Sequence, residues 1–128
     1  MPEFDLPQRF DSSEGRIAHD SFGRGADIVF VHGTPFRGLI WQEVVASLSA
    51  SFRCHVVDLP GYGASDKYDG QEVRLRSFAR VLREYLADRG LDRPVLVGHD
   101  FGAAAVLGAH LVEQVPVRAL AVVDGVVL

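Results

Sequence analysis

The five residues Gly98-His99-Asp100-Phe101-Gly102 restrict what this chain can fold into more than any other stretch. Before them runs Pro94-Val95-Leu96-Val97, an apolar segment of the kind a strand buried on both faces shows, and from Phe101 to Val112 the chain is Ala-rich and helix-forming. A chain that passes from buried strand to helix without a linker must turn sharply. Such a turn brings backbone segments together, which residues without bulky side chains tolerate best. The glycines flanking Asp100 therefore predict a strained elbow that raises the Asp100 side chain above a sheet, at a helix N-terminus whose dipole favours a carboxylate.

The rest of the sequence alternates in the same way. Ile28-Val29-Phe30-Val31 is a second buried strand, ended abruptly by His32-Gly33-Thr34-Pro35. From Leu39, the residues Trp41, Val44, Val45 and Leu48 recur at helical spacing, and Cys54–Val57 predicts another strand. Asp58-Leu59-Pro60-Gly61-Tyr62-Gly63-Ala64-Ser65-Asp66 is rich in turn formers and predicts a loop. Leu75, Phe78, Leu82 and Leu86 mark a helix with Arg74, Arg76, Arg80 and Arg83 on its solvated faces and Gly90 as its stop. Ala119–Val123 is a further strand, and Arg16–Phe22 alternates weakly enough for an edge strand. Residues 1–14, polar and carrying Pro2 and Pro7, read as a flexible arm before a core spanning 15–128. Strands alternating with helices through short connections predict an α/β fold, a parallel sheet with helices on both faces.

Composition narrows the partners. Seventeen acidic against 13 basic residues, a formal net charge of −4, argue against a phosphate-tracking nucleic-acid surface. No run is long and apolar enough for a leader or a membrane span, and Cys54 is the one cysteine, which excludes an intrachain disulfide or a multi-cysteine metal site. The expectation is a cytoplasmic protein that meets a small apolar molecule rather than nucleic acid or membrane. A nucleotide-binding reading of Gly61-Tyr62-Gly63 fails, because no G-x-G-x-x-G opens a helix and no phosphate-binding lysine motif is present.

Three segments, His32-Gly33-Thr34-Pro35, the Asp58–Asp66 loop and the Asp100 elbow, together resemble the oxyanion loop, the D-x-P-G-x-G-x-S-D loop and the nucleophile elbow of α/β-hydrolases. They occur in the family's order, and the resemblance extends from Arg16 to Val123. Serine is the commonest nucleophile there; aspartate at the elbow resembles the epoxide hydrolases and haloalkane dehalogenases. The resemblance implies an N-terminal portion of the fold, ending before the lid and the last strands.

What it implies chemically follows from the carboxylate. An ionised aspartate, whose pKa in water is ~3.9, attacks a saturated carbon without a base and becomes an alkyl ester, which water then hydrolyses. Asp100 is the implied nucleophile, with the backbone N–H groups of Phe101 and Thr34 as oxyanion donors. His32, Gly33, Pro35, Phe36 and His99 are implied around the substrate pocket, with Phe36 and Phe101 as apolar lining. Trp41, at helical spacing with Val44 and Val45, reads as core. Asp124 follows the last strand, where some members place the acid that orients the catalytic histidine, though a polar strand-end cap explains it as well. An alternative for Asp100 is a plain helix-capping aspartate.

Histidines 19, 32, 55, 99 and 110 all precede the position from which the family supplies its general base, so each reads as structural and the 128-residue chain alone is expected not to turn over. Phe101 and Thr34 stand where the resembling dehalogenases often carry tryptophan and asparagine donors for halide, which ranks epoxide hydrolysis above dehalogenation. A non-catalytic truncated relative is the competing class. Carboxylate and water supply the chemistry, so neither cofactor nor metal is implied.

Overall fold

A computed structural model describes residues 6–33 and 37–125. Six strands form one sheet in the order β1-β2-β4-β3-β5-β6: β1 (Gln8–Ser12), β2 (Gly15–Phe22), β3 (Ala26–Val31), β4 (Phe52–Val57), β5 (Val95–His99) and β6 (Ala119–Val123). Strands β4, β3, β5 and β6 run parallel, as the alternation predicts. The first two strands depart from it: β1 pairs antiparallel with β2, and β2 antiparallel with β4, so the sheet is mixed.

Residues 8–12, expected within a flexible arm, are thus the edge strand, and β2 lies one place further in. The local signal is weak because only Phe10 in β1 is apolar. Its burial opposite Ile17 and edge-on to Tyr85, 5.9 Å between ring centres, holds the strand down. Glu14, in the turn that joins the pair, accepts the Glu72 N–H at 2.8 Å and a 2.9 Å bond from Arg80. Arg80 is therefore half-buried and paired, not merely part of a wet face.

A 3-10 turn over Gly38–Trp41 leads into α1 (Gln42–Leu48), and α2 (Leu75–Arg89) and α3 (Phe101–Leu111) follow. Gly90 ends α2 in the left-handed conformation, φ 65°, and the Leu91 N–H bonds back to Leu86 O at 3.0 Å. One face of the sheet, through Ile17, Val29, Val31, Val57 and Leu96, packs on Phe78, Leu82 and Tyr85 of α2 and Ala105 and Val106 of α3. The other face packs Ile28, Phe30, Cys54 and Val56 on Trp41 and Val45, with Phe30 and Trp41 ring centres 5.1 Å apart. Trp41 is core, as its spacing suggested.

Under α2, Ser21 Oγ lies 2.7 Å from His55 Nδ1, and His55 Nε2 lies 2.8 Å from Asp27. Burial lowers the His55 pKa, against the raising influence of Asp27, so the ring is neutral at physiological pH. The neutral ring then donates from Nε2 to Asp27 and accepts the Ser21 hydroxyl at Nδ1. This chain of bonds staples β2, β4 and β3 together.

Candidate active site

The elbow after β5 has the strain that its sequence implies. Asp100 adopts φ 57°, ψ −120°, a conformation that L-residues avoid at a cost of about 1–3 kcal/mol. A Cβ on Gly98 would collide with the Gly102 carbonyl, and one on Gly102 with the Val31 carbonyl. Both glycines are there for closeness. The Asp100 N–H donates to Val123 O at 3.1 Å, which ties the elbow to β6, and the Ala103 N–H donates to Asp100 O at 3.0 Å, which starts α3. The Asp100 side chain makes no capping bond to α3, so the helix-capping alternative does not describe it.

Register carries the end of β3 to this elbow, since Val31 pairs with Gly98. Beyond Val31 the chain passes beneath the aspartate: a Cβ on Gly33 would collide with Asp100 Cβ and come within 2.7 Å of its Oδ2. The Asp100 side chain therefore rests on the Gly33 backbone.

His32 fixes that backbone. It is fully buried, its Nδ1 lies 2.7 Å from Gly33 O, and the Leu59 N–H donates to its Nε2 at 2.8 Å. An amide must donate, so Nε2 accepts and Nδ1 carries the proton. Burial lowers the His32 pKa, more than the Gly33 bond and the Asp58 charge raise it, and the ring stays neutral.

Asp58 braces the same region from the end of β4. Its Oδ1 accepts the Gly38 N–H at 2.6 Å and its Oδ2 the Ala64 N–H at 2.9 Å, with only 3% of the residue exposed. Gly63, at φ 54°, packs so closely on Asp58 that a Cβ would overlap the carboxylate. Ser65 donates to Asp58 O at 2.6 Å and accepts the Ala18 N–H at 2.9 Å, and Asp66 accepts the Arg16 N–H at 2.8 Å. The polar residues of this loop, which in the sequence are no more than turn formers, are the bolts that hold it to β2 and to the chain after β3.

A family model described as the alpha/beta hydrolase family matches residues 28–128. The chain belongs to this family. Its curated relatives include haloalkane dehalogenase 2 of Mycobacterium tuberculosis, 36% identical over 73% of this chain and 32% of that protein. The pimeloyl-[acyl-carrier protein] methyl ester esterase of Vibrio parahaemolyticus is 37% identical over 77% of this chain and 35% of its own length. The chain spans about a third of the length of these relatives. Among solved structures, an epoxide hydrolase superposes with a TM-score of 0.86 at 25% identity, covering 93% of this chain and 42% of the other.

Within this hydrolase core the residues singled out in the sequence fall into three groups. Asp100, Gly33 and half-buried Phe101, the first residue of α3, come together at the sheet's C-terminal end. Asp124 follows β6 one register step beyond Val123, the partner of His99, so it ends the strand beside the elbow; it is exposed and holds a left-handed φ of 46°. Thr34, Pro35 and Phe36 lie outside the described residues.

Two implied pocket residues stand elsewhere. His32 is a buried brace with both ring nitrogens on backbone groups, and His99 turns to the α1 side, edge-on to Trp41 at 6.4 Å. His19 is buried against Tyr85, and His110 bonds Val115 O at 2.8 Å near the far end of α3. Among the described residues no group of three or more His, Cys, Asp or Glu is placed to hold a metal, and no helix is long and apolar enough to cross a membrane.

Proposed function

We propose that this protein is a hydrolase that opens small apolar electrophiles through a covalent ester on Asp100, with epoxides as the favoured substrate class. The observation that carries this reading is the carboxylate itself, held at a left-handed φ by an elbow in which neither Gly98 nor Gly102 has room for a Cβ, and not spent on capping α3. A carboxylate oxygen attacks the saturated carbon, the C–O bond of the ring breaks, and the departing alkoxide is protonated. Water then adds to the ester carbonyl, the oxyanion is received by the N–H groups of Phe101 and Thr34, and collapse releases a diol and restores Asp100. The Phe101 N–H suits this role because the first amide of a helix has no intrahelical partner.

Ester hydrolysis, the reaction named for the Vibrio relative, fits Asp100 poorly. A carboxylate attacking an ester carbonyl would have to expel alkoxide and form an anhydride, an uphill exchange. Haloalkane hydrolysis is the second reading, supported by the 36% identity to the mycobacterial dehalogenase. Phe101, directly after Asp100, offers no side-chain N–H to a departing halide, which favours the epoxide. The base for the water step is expected from a part of the relatives' length that this chain does not span, because His19, His32 and His55 are buried, His99 faces Trp41 and His110 bonds Val115 O near the far end of α3.

The test is mass spectrometry of the peptide containing Asp100 after exposure of the full-length protein to styrene oxide or 1-bromobutane. An adduct on Asp100 that disappears in Asp100→Asn is expected, with diol formation from the epoxide outpacing bromide release. Equal labelling of Asp100→Asn would overturn the nucleophile, and faster bromide release would exchange the two substrate classes. A stable ester without product would mark a relative that reacts but does not turn over.

A further inference from the structure

We propose that His32 is the positioning residue for Asp100: by tying the Gly33 carbonyl through its own ring to the Leu59 amide, it holds the aspartate carboxylate in a single orientation. The inference rests on the reading of Asp100 as the reacting group and adds to it a residue that does not touch substrate. Three contacts carry it in sequence. The Leu59 N–H holds the ring at Nε2, the ring holds Gly33 O from Nδ1–H, and the Gly33 backbone is the surface on which Asp100 Cβ and Oδ2 rest.

Each link is buried: His32 has no exposed surface, Leu59 is 2% exposed, and Gly33 is buried as well. Water cannot replace a lost partner there, so the Gly33 peptide has one orientation available while the ring is present. Asp100 needs such support from outside because its own backbone is strained, and a strained residue holds its geometry only when its surroundings over-determine it. A displacement of about 1 Å at a reacting atom can slow a reaction by about 100-fold, so a loosened Gly33 peptide should be visible in rate.

The variants separate the two halves of the ring. His32→Asn keeps a donor at the position of Nδ1 and so retains the Gly33 bond while losing Leu59. His32→Gln keeps an acceptor at the position of Nε2 and retains Leu59 while losing Gly33. Full-length protein carrying 13C-labelled aspartate reports the Asp100 χ1 distribution by NMR coupling constants, and the rate of Asp100 alkylation by styrene oxide reports reactivity.

One χ1 rotamer is expected in the wild type and in His32→Asn, and averaging over several in His32→Gln. Alkylation is expected to slow by about 10- to 100-fold in His32→Gln and several-fold less in His32→Asn, whichever variant melts lower. A single Asp100 rotamer in folded His32→Gln, or rates that follow only the melting temperatures of the variants, would overturn the proposal. If Asp100 is not alkylated in the wild type, the nucleophile reading falls, and the rotamer measurement still decides whether His32 orders the side chain.

Discussion

His32 and His55 are the same residue type, both buried, both kept neutral by that burial, and both using two ring nitrogens, yet they hold different kinds of structure. The partners of His32 are backbone groups, Gly33 O and the Leu59 N–H, in segments that have left the sheet and can no longer satisfy themselves in a ladder. His55 sits within β4, where ladders satisfy the backbone, and its partners are the side chains of Ser21 and Asp27. Hydroxyl, imidazole and carboxylate occur there in the order of a nucleophilic triad. The ring is 1% exposed beneath α2, however, and Ser21 and Asp27 lie toward the end of the sheet remote from the elbow, so the arrangement joins strands. A histidine in the ladder adds stability to structure that exists without it; a histidine beyond the ladder defines the conformation of its segment.

The largest effect expected from breaking this contrast is at His32. His32→Ala leaves a buried N–H and a buried C=O without a partner as well as a cavity, a loss of about 4 kcal/mol by urea unfolding. His55→Ala leaves a similar cavity, but its partners Ser21 and Asp27 are partly exposed and water can serve them, so about 3 kcal/mol is expected. His55→Ala should leave the alkylation rate of Asp100 within about twofold of wild type, since additivity holds for sites without shared partners. A slowing equal to that of His32→Gln would erase the distinction between the two braces.

Acid sharpens it next. Both rings have folded pKa values below the ordinary histidine value of 6.5, so below that pH the unfolded chain binds protons that the native state does not. Stability is therefore fully present above about pH 6.5 and falls as the pH drops from there toward the folded values. His19, whose pKa burial also lowers, adds to the slope. Unfolding midpoints measured from about pH 7.5 to about pH 5 should fall less steeply in His55→Ala than in wild type; parallel curves would mean that His55 is not held neutral.

The difference between ladder and loop also governs what the sequence reveals. The elbow is legible because much of its requirement is local: the Gly102 carbonyl, four residues on, excludes a Cβ at Gly98, although the carbonyl that excludes one at Gly102 belongs to distant Val31. The inner parallel strands are legible because burial on both faces leaves a continuous apolar run, as in Ile28–Val31 of β3. Strand β1 is not, because its hold on the sheet is one buried phenylalanine and a ladder that any sequence could make. The braces are not legible either, since Leu59 lies 27 residues from His32 and Gly38 lies 20 from Asp58, and nothing in a short window distinguishes a turn-forming aspartate from one that binds a distant amide. Ser65 is the same case. Ser65→Ala strands the Ala18 N–H and removes a bond to Asp58 O, and about 1–2 kcal/mol is expected from urea unfolding.

The smallest effect separates two arginines three residues apart on α2. Arg83 bonds Glu113 at 2.8 Å with 44% of its side chain exposed, whereas Arg80 bonds Glu14 at 2.9 Å with 28% exposed, against a glutamate that is itself 11% exposed. An exposed pair gains little over solvated charges and is screened by salt, so Arg83→Gln should cost under about 0.5 kcal/mol at low ionic strength and nothing measurable in about 1 M salt. Arg80 shields a carboxylate that also accepts the Glu72 N–H, so its removal leaves a half-buried charge with fewer donors. Arg80→Gln should cost about 1 kcal/mol and retain most of that cost in salt. If the two variants lose the same stability and the same salt dependence, the β1–β2 turn is held by its backbone and Phe10 alone, and Glu14 is a surface residue that happens to lie under α2.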